Sequence, residues 1–172
     1  EQDSDFILMT FVGSENGSGY EAKNQYEIEE LRREPDSLFS CDLNGDDLQD
    51  VLILSNRDAP VILLADQKDG WQSVAQDSVV RKSFMKGLEL EKLSKFNDPI
   101  SKKDRLLVAG DGFVRVIAWV EDELHVVEQF NAKDQSGELF TPVKIDWEGK
   151  GSDEVFAFHE DGYWERLDSK NT

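Results

Sequence analysis

Basic residues are scarce in this chain. Nineteen lysines and arginines stand against 37 aspartates and glutamates in 172 residues, a formal net charge of -18. Nucleic acid is bound through a basic face, and so is an anionic membrane surface. The charge argues against both as partners. The acidity serves solubility, or it gathers where a hard divalent cation sits. Long apolar runs are also missing. No stretch approaches the ~18 apolar residues of a membrane-spanning helix, so no membrane insertion is expected. The single cysteine, Cys41, excludes an intramolecular disulfide and leaves the redox compartment open. It lies in an apolar run and reads as a small buried side chain. The two histidines, His125 and His159, fall in or at the end of strand-like segments outside any motif and read as ordinary strand residues. There is no nucleophile elbow, no phosphate-cradling glycine loop and no zinc spacing. Pro/Ser-rich linkers and low-complexity tracts are absent too, so residues 1–172 read as one continuous domain. That length suffices for one real core. No signal-peptide pattern is present, yet the chain begins at Glu1 rather than Met. The expectation is that part of the natural product has been removed.

What is present is a repeat. Asp42-Leu43-Asn44-Gly45-Asp46-Asp47-Leu48-Gln49-Asp50-Val51 aligns without a gap on Asp146-Trp147-Glu148-Gly149-Lys150-Gly151-Ser152-Asp153-Glu154-Val155. Each copy is preceded and followed by an apolar, strand-like run. A weaker copy, Asp104-Arg105-Leu106-Leu107-Val108-Ala109, lies between them. Turns at Asp58-Ala59-Pro60, Asp111-Gly112-Phe113 and Asp161-Gly162-Tyr163 begin eight, seven and seven residues after Asp50, Asp104 and Glu154. Asp-Gly between two apolar runs is a strong hairpin signal, because glycine accepts the positive φ of a tight turn.

The period is about fifty residues, that of a propeller blade of four short antiparallel strands. The first repeat predicts strands over 38–42, 51–55, 61–65 and 71–75. The second predicts them over 88–93, 105–109, 114–120 and 124–130. The third predicts 139–145, 155–159 and 163–167, with no fourth. Segments 6–12 and 25–31 read as two strands of a partial preceding blade, residues 1–35. Residues 78–86 fit a helical turn or a loop equally well. The expected fold is all-β: a β-propeller segment of about three to three and a half blades, with repeats near 36–86, 87–135 and 136–172. A calcium-binding β-sandwich, with two facing sheets instead of radial blades, is the alternative.

The pattern Asp-x-Asn-Gly-Asp-x-x-x-Asp before an apolar strand resembles the FG-GAP, or VCBS, repeats of β-propellers, including the integrin α-subunit type. The resemblance covers roughly residues 36–170, strongly at 42–54 and moderately at 146–158. Neither Phe-Gly nor Gly-Ala-Pro occurs literally, and Asp47 stands at the usual glycine of the turn. Aspartate tolerates a left-handed backbone better than most residues do. The family's loops hold calcium, which implies Ca2+ here and an extracellular, periplasmic or cell-surface location. Calcium takes six to eight oxygens. Asp42, Asn44, Asp46 and Asp50 can supply side-chain oxygens and Leu48 its carbonyl. A metal-free Asx turn joining two strands is the competing reading. In the second loop Lys150 stands where an oxygen ligand would be needed, and an ammonium only donates. It is expected to replace the cation by bridging Asp146 and Glu154. The middle repeat keeps only Asp98 and Asp104.

These features favour a non-catalytic, calcium-stabilised binding or scaffold module for a protein or glycan. The alternative is a propeller domain of a polysaccharide-degrading lyase or glycosidase, since such enzymes use paired carboxylates. Trp71, Trp119, Trp147 and Trp164 could form a sugar- or peptide-binding surface, although core packing suits most of them. Trp147 stands out because it sits in a loop. Apolar blade faces left open at the ends predict either a longer propeller or self-association.

Overall fold

The computed structural model describes residues 6–14, 17–55, 58–67, 70–74 and 85–169. Ala75, expected to end a strand, and residues 78–84 of the undecided segment lie outside them. The described residues form thirteen strands: β1 (Ile7–Gly13), β2 (Tyr20–Glu27), β3 (Ser37–Cys41), β4 (Asp50–Leu54), β5 (Val61–Asp66), β6 (Gly70–Ser73), β7 (Leu93–Asn97), β8 (Asp104–Gly110), β9 (Phe113–Val120), β10 (Glu123–Asn131), β11 (Leu139–Ile145), β12 (Glu154–His159) and β13 (Tyr163–Ser169). Every pairing between them is antiparallel. The fold is all-β, with almost no helix.

Two segments differ from expectation. The strand expected over 25–31 runs earlier, as Tyr20–Glu27, and Ile28 and Leu31 lie buried in the turn beyond it. The alternation of Tyr26 to Glu29 carries on past the strand, because a Leu31 N–H to Ile28 carbonyl bond folds the chain over the same core. The strand expected over 88–93 is largely a 3-10 turn, Leu90–Lys92, and β7 begins only at Leu93. Leu88 and Leu93 are buried there while Leu90 is exposed, which a turn satisfies and a strand does not.

The strands form three consecutive meanders. β3-β4-β5-β6 is a sheet by itself, and β1-β2 is a separate hairpin. The second meander, β7 to β10, and the third, β11 to β13, are joined into one seven-stranded sheet of order β11-β12-β13-β10-β9-β8-β7. The joint is short: Phe130 opposes Ser169 and Asn131 opposes Asp168. The sheet folds over on itself, so β11 returns to pack against β7 and β8, and the outline is nearly that of a closed barrel. Ser94 Oγ donates to the Pro142 carbonyl across this gap.

Burial on both faces explains the unbroken apolar runs of β4 and β8. Leu52, Leu54 and Ile62 of the first sheet pack with Leu106, Val108 and Ile117 of the second meander. Leu107, Ala109, Val114 and Val116, on the opposite face of that meander, pack with Val155, Ala157 and Leu167 of the third. Ile53, Val61 and Leu63, behind the first sheet, pack with Ile28 and Leu31 beside Phe6, Leu8 and Tyr26 of the hairpin region. Four layers are therefore stacked in chain order.

The stacking exchanges the two faces of the second meander. Val51 and Ile53 face the layer before them, as do Val155 and Ala157. In β8 the backward-facing residues are Leu106 and Val108. Side chains alternate with period two, so a one-residue slip exchanges the faces. Asp104 opens β8 in the ladder as Asp50 opens β4 and Glu154 opens β12, but it faces the layer before it, while Arg105 takes the face that Asp50 and Glu154 take.

Candidate functional site

Residues 42–49 connect β3 to β4, closed by the Cys41–Asp50 pair. Two left-handed residues, Gly45 (φ 81) and Asp47 (φ 66), coil this loop and turn successive N–H groups inward. Asp47 thus holds a left-handed backbone that glycine adopts more readily than other residues. The carboxylate of Asp42 collects those donors. Its Oδ1 accepts from Gly45 N at 2.7 Å and Asp46 N at 3.2 Å, and its Oδ2 from Asp47 N at 3.1 Å.

Asn44 and Asp46 sit beside it. Asn44 Oδ1 accepts from Asp46 N at 3.1 Å, and Asn44 Nδ2 donates to Asp46 Oδ2 at 3.0 Å. Asp46 Oδ1 accepts the Leu48 N–H at 2.9 Å. The structure therefore gathers Asp42, Asn44, Asp46 and Leu48 around one turn. Asp50 is fully buried at its base. There Oδ2 accepts from Leu43 N at 2.8 Å and Oδ1 from Ala65 N at 2.9 Å, so one carboxylate ties the loop to the end of β5. In this arrangement the carboxylate oxygens are directed at backbone amides, except Asp46 Oδ2, which accepts from the Asn44 side chain. Among the described residues no three His, Cys, Asp or Glu side chains converge as metal ligands would.

The electrostatics set this loop apart. Burial raises the pKa of Asp50 above its ordinary value. The N–H groups of Ala65 and Leu43 oppose the rise, and the charges of Asp46 and Asp42 add to it. Asp42 is also buried. Neither Asp42 nor Asp50 has an ion-pair partner among the described residues.

The other two hairpins carry cations. Asp98 pairs with Arg105 in the middle one, and Asp104 with Lys95 at 2.8 Å. In the third, Glu154 pairs with Arg166 at 3.0 Å and Lys150 with Glu148. The expectation that Lys150 bridges Asp146 and Glu154 is thus corrected. Glu148 is its near neighbour on the exposed loop, while Glu154 on β12 already holds a guanidinium from β13.

The third loop otherwise repeats the first. Asp146 Oδ1 accepts from Lys150 N at 2.9 Å and Oδ2 from Gly151 N at 2.8 Å, the same two positions along. Gly149 (φ 66) and Gly151 (φ 78) match Gly45 and Asp47.

Sequence reasoning missed one participant, Asp104. Its Oδ2 accepts the Asp42 N–H at 3.0 Å, and its own N–H donates to the Asp42 carbonyl at 2.8 Å. No local signal could have paired positions 62 residues apart.

The remaining candidates fall where packing places them. Cys41 is buried, and burial together with the nearby Asp50 charge pushes its thiol up to about 12, which leaves it unreactive. Trp119 is buried in the core and Trp71 packs behind the first sheet. Trp147 and Trp164 are exposed. His159 is buried, accepting from Asp161 N at Nδ1 (3.1 Å), with Nε2 toward the Ser136 carbonyl (3.3 Å). A cleft of about 560 Å³, lined by Asp36, Ser37, Leu88, Glu89, Leu90 and Glu91, shares no residue with the acidic loop.

Comparison with family models, with curated proteins and with solved structures found no match.

Proposed function

We propose that the chain is a β-propeller segment of FG-GAP/VCBS type, stabilised by one Ca2+ at Asp42, Asn44, Asp46, Leu48 and Asp50, which serves as a binding or scaffold module. The observation that carries this reading is the pair of buried acids, Asp42 and Asp50, which have no counter-charge among the described residues while the equivalent hairpins have one. A buried carboxylate without a cation is costly. A hard divalent ion supplies the missing charge and takes oxygen ligands of this kind. Asp42, Asn44, Asp46 and Asp50 would hold the ion through side-chain oxygens and Leu48 through its carbonyl. The affinity expected is that of an extracellular module, about 10⁻⁴–10⁻³ M, which suits an extracellular, periplasmic or cell-surface protein.

Calorimetric titration of the chelator-treated protein tests the site. One calcium per chain is expected, and no binding heat up to about 10 mM, well above that range, would overturn it. Saturable capture of a protein or glycan without turnover is expected of the module. Bond cleavage in the captured glycan would make it an enzyme.

A further inference from the structure

We propose that His159 is a pH-sensitive latch of the β12–β13 turn: on taking up a proton, its ring releases the Asp161 N–H and holds the Asp161 carboxylate instead. The geometry of the ring carries this, independently of the calcium loop.

His159 ends β12 and pairs with Tyr163, which opens β13, so the two residues close the turn between them. A backbone amide only donates, and the bond from Asp161 N at 3.1 Å therefore makes Nδ1 the acceptor. In the neutral ring the proton sits on Nε2, directed at the Ser136 carbonyl at 3.3 Å. Protonation adds an N–H at Nδ1, where it meets the N–H of Asp161. Two donors cannot share that contact.

The ring has no room to turn away from the conflict. Its side chain is only 8% exposed. Tyr163 stacks on it, with centroids 4.7 Å apart and planes at 12°. Gly137 closes the Nε2 side, where an added Cβ would lie 2.3 Å from that nitrogen. Nε2 keeps the Ser136 carbonyl in both states. The turn has to give way.

The new N–H finds a partner within the turn. Asp161 Oδ2 already lies 3.4 Å from Nδ1, on a carboxylate that is mostly exposed. A charge-assisted bond of this kind is about twice as strong as a neutral one. The neighbouring charges favour the imidazolium. Neither Glu160 nor Asp161 pairs with a lysine or arginine among the described residues. Glu165 and Asp134 lie near Tyr163, and Glu138 of the preceding connection is held by Lys92. Glu160 is tied to Glu138 twice, N–H to carbonyl at 3.0 Å and Oε1 to N–H at 3.2 Å. That pins the near side of the turn and confines the change to Asp161 and Gly162. Histidine is the side chain that ordinarily changes charge between about pH 5 and 8.

Nitrogen-resolved NMR in chelator, from about pH 8 down to about 5.5, tests the latch without involving calcium. The His159 Nδ1 resonance should pass from that of a bare acceptor to that of an N–H, and the Asp161 and Gly162 amides should shift in the same transition. His125, an exposed histidine beside Glu123, should titrate without moving them. Asp161→Asn removes the carboxylate, so His159 should take up its proton at lower pH than in wild type. His159→Asn keeps an oxygen that accepts the Asp161 N–H, as in an Asx turn, but has no titrating nitrogen. If its spectrum stays dispersed, both amides should stay still. A His159 ring that remains neutral throughout, or amides that ignore its protonation, would overturn the proposal. So would an unchanged transition in Asp161→Asn, a substitution at an exposed side chain, or wild-type amide shifts in folded His159→Asn.

Discussion

Asp42 and Asp104 exchange two hydrogen bonds across the junction between the first sheet and the second meander. The Asp104 N–H reaches the Asp42 carbonyl at 2.8 Å, and the Asp42 N–H reaches Asp104 Oδ2 at 3.0 Å. Lys95 holds the same Oδ2 at 2.8 Å. The acidic loop is therefore anchored to the layer that follows it, by its first residue.

Asp104→Ala removes the acceptor for a buried N–H and leaves it unpaired. Such a loss costs about 1–3 kcal/mol, read as a lower urea midpoint. It should also weaken calcium binding, since Asp42 loses its fixed position. Calcium affinity equal to wild type in a destabilised variant would show that the anchor is structural only.

Asp47→Gly should act the other way. Asp47 holds φ 66 in the loop, a region that costs an L-residue up to about 1–2 kcal/mol and aspartate less. Glycine there should raise stability by about 1 kcal/mol or less, after its greater freedom in the unfolded chain is discounted. A clear loss of stability would mean that the Asp47 side chain contributes something the backbone geometry does not.

The pH dependence follows from three carboxyls. Burial raises Asp50 above 3.8, so the folded chain holds a proton that the unfolded chain has released between 3.8 and the raised value. The stability from this group grows as pH falls through that window and is lost as pH rises. Asp98 is lowered, by the Ser101 hydroxyl, the Ile100 N–H and Arg105. Burial works against Asp104, but Lys95 and the Asp42 N–H prevail and lower it. What those two contribute is complete above 3.8 and is lost only as pH falls through their lowered values. Calcium competes with the Asp50 proton, so the stabilisation by calcium should shrink as pH falls from about 7 toward about 4. Urea melts with calcium and with chelator at each pH would reveal it, and a constant difference would exclude Asp50 from the site.

The units of loop, strand, turn and strand were legible because hairpin chemistry is local. Asp42, Gly45 and the Asp-Gly turns declare themselves within a few residues. The facing of the second meander was not legible, since Asp104 and Arg105 are adjacent and only burial reveals which face each takes. The pairing of Asp42 with Asp104 and the union of β10 with β13 depend on long-range packing that no short pattern encodes. The acids of the loop were visible, but that no cation among the described residues pairs with Asp42 or Asp50 was not. Lys95 and Arg166 had first to be seen answering the acids of the other hairpins.

Thermal melts of wild type, Asp50→Ala and Asp146→Ala, each in excess calcium and in chelator, test the calcium loop most directly. With free calcium a hundredfold above its dissociation constant, linkage gives wild type about 2.7 kcal/mol, a clear upward shift in Tm. Asp146→Ala should melt lower in both conditions, having lost the acceptor for the Lys150 and Gly151 N–H groups, yet keep the calcium shift. Asp50→Ala should barely shift. Identical wild-type melting in calcium and in chelator would contradict the account and leave residues 42–50 as a hydrogen-bonded turn.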